Sequence, residues 1–258
     1  TGPTQEWVNM YPMVSGKAID EEGTEYDPNF PYRDRDPRMY ESIVTNGDVY
    51  SITRIASVYQ GIPELNIPPG RHNQKNAAYG PWKTNYRLRK FLLDGGGATE
   101  YEHAEITGKY VHFPYLRLPE LYYGYAEALC MAGGSMSKAY ELVNTIRSRV
   151  GVGGLKPGLT GTDFVEAVIT ERACELAFEE VRWFDMIRWK REDIFKKRLH
   201  MVELTIKDTS ENPFVTFDHS YPELPERYWA RNFSPKWYLS AFPSDEINKR
   251  YGLIQNPG

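Results

Sequence analysis

The sequence predicts a mainly α-helical protein with long loops and a small β-hairpin. Three observations support this fold class: helical spacing of apolar residues between residues 112 and 198, Pro-rich segments on both sides of that stretch, and an Asn-Gly turn signal at residue 46. A chain of 258 residues with 41% hydrophobic content can bury a substantial core. We expect a loop-rich part over residues 1–111, a helical core over 112–198 and an irregular part over 199–258.

The loop-rich part is predicted to contain the hairpin. Residues 40–45 and 49–55 have strand-like composition, and Asn46-Gly47-Asp48 separates them. The Asn-Gly pair favours the positive φ values of a tight hairpin turn. The stretch over residues 59–86 holds four Pro, three Gly and four Asn, which is typical of a long exposed loop.

Two helices with a short link are predicted next. The first ends at Gly133-Gly134, and the second uses Ser137 as its N-cap and ends at Gly151. Because the link is short, the two helices must pack antiparallel, and together they have the size of one tetratricopeptide-like unit. The apolar faces of the two amphipathic helices are formed by Leu118, Leu121, Tyr122, Tyr125, Ala128, Leu129 and Ala132, and by Leu142, Val143, Ile146 and Val150.

A third helix is predicted from Thr162 or Asp163 to about Trp189. It places carboxylates on one face at four-residue steps, and such carboxylates repel each other unless cations intervene. The pattern therefore predicts an ion-pair network that fastens this helix to its neighbours. The charged residues concerned are Glu171, Arg172, Glu175, Glu179, Arg182, Asp185 and Arg188.

These carboxylates invite a second interpretation as a glycosidase acid/base pair. Such a pair stands on opposite sides of a sugar, about 5 Å apart in retaining and about 6.5–9.5 Å apart in inverting enzymes. Because a single helix face cannot surround a substrate, ion pairing is favoured over catalysis.

Composition excludes other classes of function. A net charge of -4 leaves no basic field for a phosphate backbone, so nucleic acid is not an expected partner. No apolar run approaches the ~18 residues of a membrane span. None of the five His has a paired zinc-ligand spacing, and we expect neither a metal ion nor a cofactor. Cys130 and Cys174 are predicted to be small buried apolar residues rather than a disulfide.

The third helix resembles the long helix of the SusD/RagB family. Its segment Glu171-Arg172-x-x-Glu175-Leu176-x-Phe178-Glu179 is followed by Arg182-Trp183-x-Asp185 and Arg188-Trp189. Further matching pieces cover nearly the whole chain in order. They are Pro3-Thr4-Gln5-Glu6, Tyr26-Asp27-Pro28-Asn29, Arg35-Asp36-Pro37-Arg38, Arg89-Lys90-Phe91, Leu116-Arg117-Leu118-Pro119-Glu120-Leu121-Tyr122 with Tyr125-Ala126-Glu127-Ala128, Asn144-x-Ile146-Arg147-x-Arg149, Phe242-Pro243-x-x-Glu246-Ile247 and Gln255-Asn256-Pro257-Gly258.

The chain departs from the family pattern at two places. Glu180 stands where the family commonly has Gly, and Ala241-Phe242 replaces the usual Pro-Ile. We expect both departures to affect packing more than function. Family members are also about twice as long, so the resemblance implies a C-terminal portion. Helix faces that normally pack on the missing N-terminal half are then expected to be exposed or paired with another copy.

The resemblance implies a SusD-like α-α superhelix and a role without chemistry. Similar proteins sit on the outer face of the outer membrane of Gram-negative bacteria through an N-terminal lipid anchor. They bind oligosaccharides or other nutrients and deliver them to a SusC-like TonB-dependent transporter. The expected partners are therefore the nutrient, the transporter and the N-terminal half.

The long loop is the expected ligand site, since sugars stack on aromatic faces presented by exposed loops. We predict that residues 48–86 line it. The stacking candidates are Tyr50, Tyr59, Tyr79 and Trp82, and the polar candidates are Arg71, His72 and Asn73. Two alternatives stay open: an enzyme, although no nucleophile elbow or phosphate loop occurs, and a helical-repeat scaffold that binds only proteins.

Overall fold

The computed structural model describes residues 2–45, 84–91, 113–208, 216–225 and 233–256. These residues form eight α-helices, one 3-10 helix and two small antiparallel sheets, which confirms the mainly helical prediction. The helices are α1 (Gln5–Met10), α2 (Pro37–Ser42), α3 (Leu118–Met131), α4 (Met136–Arg149), α5 (Gly161–Glu175), α6 (Val181–Arg188), α7 (Glu192–Phe195) and α8 (Ser244–Asn248), with the 3-10 helix at Pro235–Tyr238. The strands are β1 (Ile43–Val44), β2 (Arg87–Leu88), β3 (Glu203–Asp208) and β4 (Thr216–Ser220). No helix in these ranges has the length and apolar character needed to cross a bilayer.

Helices α3, α4 and α5 share one apolar core. The predicted apolar face of α4 is buried, except that Val150, its C-cap, is half-buried. Ser135 rather than Ser137 is the N-cap of α4, since its hydroxyl accepts a hydrogen bond from the Lys138 backbone N–H at 3.2 Å. The buried residues of this core are Tyr123, Ala126, Ala139, Leu142, Val143, Ile146, Phe164 and Val168.

The apolar face predicted for α3 is turned largely to solvent. Leu118, Leu121 and Tyr125 are 58%, 55% and 53% exposed, whereas Tyr123 and Ala126 are fully buried on the other side. Periodicity could not choose between the two sides because α3 is apolar on both. Of the other residues predicted for that face, Tyr122 and Leu129 are half-buried and Ala128 and Ala132 are exposed. We call Leu118, Leu121 and Tyr125 the α3 apolar face.

The single long helix predicted up to Trp189 is two helices, α5 and α6. A turn over residues 176–180 separates them, in which Phe178 and Glu180 have φ values of 61° and 63°. Left-handed residues cannot continue a right-handed helix, so α5 ends at Glu175. Glycine adopts this conformation without a steric penalty, and Glu180 does not. The departure from Gly at this position therefore strains the backbone. Helix α5 also begins slightly earlier than predicted.

Helix α2 occupies part of the segment that was predicted to be a strand. Residues 40–42 are helical because Asp36 caps the helix, accepting a hydrogen bond from the Arg38 backbone N–H at 2.9 Å, with Pro37 at the first helical position. Only β1 remains extended, and it pairs antiparallel with β2, with Ile43 opposite Leu88. The predicted turn and second strand lie outside the described residues.

A hairpin is present in the C-terminal part, which was predicted to be irregular. Strands β3 and β4 pair antiparallel, with a register shift between Ile206 and Asp208. The shift is the mark of a β-bulge, and an interrupted pairing of this kind weakens the alternating pattern that reveals strands in a sequence.

The N-terminal segments pack onto α5 through a second core. Arg35 is buried there and donates hydrogen bonds to the carbonyls of Pro31, Val8 and Tyr11 at 2.8, 2.8 and 2.6 Å. These bonds tie an otherwise irregular Pro-rich segment to α1. The buried residues of this core are Val8, Tyr11, Met39, Ile43, Tyr86, Cys174 and Val202. Both cysteines are unpaired as predicted, with Cys174 buried and Cys130 half-buried.

Candidate functional site

Glu171 on α5 is held between two buried arginines. Its Oε2 accepts a hydrogen bond from Arg38 Nη2 at 2.9 Å, and its Oε1 accepts one from Arg147 Nη1. Arg38 Nη2 also donates to Asp36 Oδ2 at 2.6 Å. Burial lowers the pKa of Arg38, but Glu171 and Asp36 outweigh this and raise its pKa above the ordinary value. This contact joins α2, α4 and α5.

Arg117, which precedes α3, bridges Glu175 and Glu179. Its Nη1 donates to Glu175 Oε1 at 3.0 Å, and its Nη2 and Nε donate to Glu179 at 2.7 and 2.9 Å. Arg149 Nη2 donates to both oxygens of Glu175 at 2.9 Å, and Lys90 Nζ donates to Glu179. The side chains of Glu171, Glu175 and Glu179, here named the acidic row, are each only 3% exposed. The predicted ion-pair network is confirmed.

A second branch of the network fastens α6. Arg172 Nε and Arg188 Nε donate to opposite oxygens of Asp185 at 2.9 Å each, and Arg188 Nη2 donates to Glu127 on α3 at 2.7 Å. Arg182 does not join the acidic row, because the turn moves it off that face. Its Nη1 is buried without a hydrogen-bond partner in the described ranges, and burial lowers its pKa.

A pocket of about 640 Å³ opens beside the acidic row. It lies where α2, the segment after β2, the segment before α3, the end of α4 and the end of α5 meet. Its lining contains five cationic side chains and three carboxylates. The lining residues are Pro37, Arg38, Glu41, Ser42, Arg89, Lys90, Phe91, Pro114, Arg117, Arg149, Val150, Glu175 and Glu179. We call it the cationic pocket.

The buried carboxylates of the cationic pocket are already neutralised. Burial by itself raises the pKa of Glu179, but hydrogen bonds from Arg117 and Lys90 outweigh burial and hold its pKa below the ordinary value. A general acid for sugar chemistry needs the opposite, a carboxyl whose pKa is raised. The arrangement suits a polar ligand that accepts hydrogen bonds, because Arg and Lys side chains are donors only.

Aromatic rings continue from the pocket onto the surface. Phe91 lines the pocket and lies 5.3 Å from Phe113, which lies 5.9 Å from Tyr115, measured between ring centroids. Tyr115 is almost fully exposed. This row of three rings, the aromatic rim, offers apolar faces next to the polar pocket.

The seven predicted ligand residues lie outside the described residues, so their placement stays a prediction. They are Tyr50, Tyr59, Arg71, His72, Asn73, Tyr79 and Trp82. The described end of the predicted segment has a structural role, since Tyr86 is buried and its hydroxyl donates to Gln5 Oε1. Tyr86 therefore belongs to the second core.

Sequence reasoning missed the cationic pocket although it quoted most of its residues. Arg38, Lys90, Arg117 and Arg149 all stand in segments that resemble the family, yet none was assigned a role. The available signal was the acidic row itself, because three buried carboxylates require several cations from elsewhere in the chain.

Comparisons with solved structures agree with this architecture. A SusD-like protein from Bacteroides fragilis NCTC 9343 superposes with a TM-score of 0.69 at 27% identity, over 99% of this chain and 46% of that one. A SusD-like carbohydrate binding protein from the same strain superposes with a TM-score of 0.56 at 22% identity, over 77% of this chain and 37% of that one. This chain thus spans less than half of either structure. No curated protein sequence matches it.

The family comparison covers every position. The sequence profile described as the SusD family matches residues 1–258. Together with the helical core, the ion-pair network on α5 and the structural likenesses, this match shows that the chain belongs to the SusD family.

Proposed function

We propose that this chain binds oligosaccharides without transforming them. One structural neighbour is described as a carbohydrate binding protein, and membership of the SusD family supports the same activity. The single observation that carries the proposal is the cationic pocket with its aromatic rim, in which the acidic row is occupied by ion pairs rather than left for acid/base work. The ligand is then delivered to a SusC-like TonB-dependent transporter on the outer face of the outer membrane.

Sugar recognition fits the chemistry of this region. Ring faces of a sugar stack on aromatic side chains, and its hydroxyl and ring oxygens accept hydrogen bonds from guanidinium and ammonium groups. The predicted loop residues, Trp82 and Tyr50 among them, extend this proposal beyond the described residues. A few stacking contacts less the ordering cost correspond to dissociation constants between micromolar and millimolar, about -8 to -4 kcal/mol.

Calorimetry against a panel of oligosaccharides tests the proposal. We expect at least one ligand to bind, and Trp82→Ala and Tyr50→Ala to weaken it while Phe30→Ala, the removal of an exposed aromatic outside the predicted loop, has no effect. All variants are first checked for folding by circular dichroism. If the loop variants bind every ligand as the parent does, the loop assignment is wrong.

Catalysis is tested on the ligands that bind. Each is incubated with the chain, and the products are analysed by chromatography. We expect the ligand to be recovered intact. If the parent forms a product and the Glu179→Gln variant does not, the chain is a hydrolase and not only a binding protein.

The α3 apolar face supports a protein partner as well. Monomeric proteins seldom expose contiguous apolar patches without a role, and Leu118, Leu121 and Tyr125 stand at helical spacing beside exposed Leu116 and Tyr115. We propose that a preceding helical half of the same protein covers this face. A scaffold that binds only proteins is the rival function favoured by the same observation.

Coexpression with the preceding coding region tests this partner. We expect a complex that Leu121→Asp abolishes, because the change places a charge in the middle of the α3 apolar face. The matched control is Leu239→Asp, since Leu239 is 56% exposed, much as Leu121 is, and lies outside α3. A complex that survives Leu121→Asp contradicts the proposal. Capture of the transporter without affinity for any oligosaccharide favours the scaffold.

A further inference from the structure

We propose that the cationic pocket selects an acidic sugar, and that it binds the carboxylate of a uronic acid residue within an oligosaccharide. The proposal rests on the proposed function and names the ligand class. It starts from the local charge. Of the five cations in the lining, Arg38 is already paired with Asp36 and Glu171. The other four stand against three lining carboxylates, a balance of +1 by subtraction, whereas the whole chain carries -4. A cleft with an excess of one sign of charge concentrates ions of the opposite sign.

Two of these cations, Arg149 and Lys90, have hydrogen-bond donors that a ligand could use. Arginine has five N–H donors, and Arg149 donates from Nη2 to Glu175. Its Nε and Nη1 have no partner among the residues that the structure describes. The Arg149 side chain is 55% exposed, so a ligand can reach it from solvent. Lys90 has three donors, and within the described parts of the chain its ammonium group donates one hydrogen bond, toward Glu179.

A planar carboxylate matches these donors better than a neutral hydroxyl does. A guanidinium can donate two parallel hydrogen bonds to a carboxylate, and such charge-assisted bonds are about twice as strong as neutral ones. Binding does not need to break the existing network, because Glu175 keeps Arg117 as a partner and Glu179 keeps Arg117 and Lys90.

The aromatic rim supplies the sugar part of the recognition. Phe91 belongs to the pocket wall, and its ring continues through Phe113 to Tyr115. When the carboxylate of a uronic acid is bound inside the pocket, the next sugar of the oligosaccharide lies toward the aromatic rim. A free inorganic anion lacks this second contact, so an acidic oligosaccharide is the better match.

Glu41 opposes the anion. It lies on α2 in the pocket lining, and no ion pair within the described ranges neutralises it. A like charge near a bound carboxylate weakens binding. Removing the charge with Glu41→Gln is therefore expected to tighten binding of the acidic ligand about threefold.

The experiment compares tetragalacturonate with its methyl ester, which has the same rings without the charge. Calorimetry at low salt should give at least tenfold tighter binding for the acid. Arg149→Gln should weaken the acid about tenfold and the ester by clearly less, while Glu41→Gln should tighten the acid. Arg33→Gln is the matched control, since Arg33 is 57% exposed, pairs with Asp27 and lies outside the pocket.

The outcomes separate this proposal from the proposed function. Equal binding of acid and ester, or an Arg149→Gln chain that binds the acid as the parent does, overturns the acidic selectivity. Binding of neutral oligosaccharides without binding of tetragalacturonate also overturns the acidic selectivity. In that case the proposed function, oligosaccharide binding, survives. Absence of binding to every oligosaccharide, neutral or acidic, overturns both.

Discussion

Helix α5 is held in two different ways along its length. Its first half packs through Phe164 and Val168 into the apolar core of α3 and α4, while its second half carries Glu171 and Glu175 into the ion-pair network. Apolar packing is non-directional and tolerates adjustment. Buried ion pairs require specific geometry, and removing one partner leaves a buried charge without compensation. The apolar half therefore supplies stability, and the charged half sets the positions of the side chains that line the cationic pocket.

The largest effect is expected from breaking the charged half at Glu171. Glu171→Gln keeps the shape but leaves the buried Arg147 without an ion-pair partner in the described ranges, and it takes one carboxylate from the buried Arg38, which keeps Asp36. We expect the free energy of unfolding to fall by about 3–5 kcal/mol. Urea denaturation measures it, and Glu141→Gln, which removes an exposed carboxylate on α4, should change it by less than about 0.5 kcal/mol. Equally small effects at Glu171 and Glu141 would contradict the claim that the buried ion pairs hold the second half of α5.

The apolar half is tested by a matched pair of leucines. Leu142 on α4 is 6% exposed and lies in the core, whereas Leu121 on α3 is 55% exposed. Leu142→Ala should lower the free energy of unfolding by about 2–4 kcal/mol, through lost burial and a cavity. Leu121→Ala should change it by less than about 0.5 kcal/mol in this chain. A large loss at Leu121 would mean that the α3 apolar face is covered.

The turn between α5 and α6 is expected to gain stability from glycine. Glu180 has a φ of 63°, where a side chain is strained and glycine is not. Glu180→Gly should raise the free energy of unfolding by about 0.5–1 kcal/mol, after allowance for the greater freedom of glycine in the unfolded chain. The same change in a regular helix, Glu141→Gly on α4, should lower it by about 1 kcal/mol. Destabilisation at both sites would argue against strain at Glu180.

The smallest expected effect is the pH dependence that Glu179 contributes. Its pKa is lower in the folded protein than the ordinary value of a glutamate, so its stabilising contribution is complete above that ordinary value. The contribution is lost as pH falls through the lowered folded-state pKa. Urea midpoints measured from pH 6 down to pH 3 should therefore fall less steeply for Glu179→Gln than for the parent. Parallel curves would exclude the coupling of Glu179 to Arg117 and Lys90.

The contrast between the two halves also explains which features were predictable. The apolar face of α4 could be predicted because its spacing is local and only one side of that helix is apolar. The sequence also predicted that the carboxylates of the acidic row need cations beside them. The identity of those cations could not, because they come from segments far away in the sequence: 133 residues separate Arg38 from Glu171, 89 separate Lys90 from Glu179, and 58 separate Arg117 from Glu175.

The sequence by itself determined the helical class, the buried face of α4, the need to neutralise the acidic row and the family to which the chain belongs. Only the tertiary structure decided that α3 turns an apolar face outward, that the chain reverses at Phe178 and Glu180, and that five cations meet around one pocket. The physical reason is the range of the interactions. Periodicity and capping act over a few residues, whereas burial and charge pairing depend on which distant segments meet.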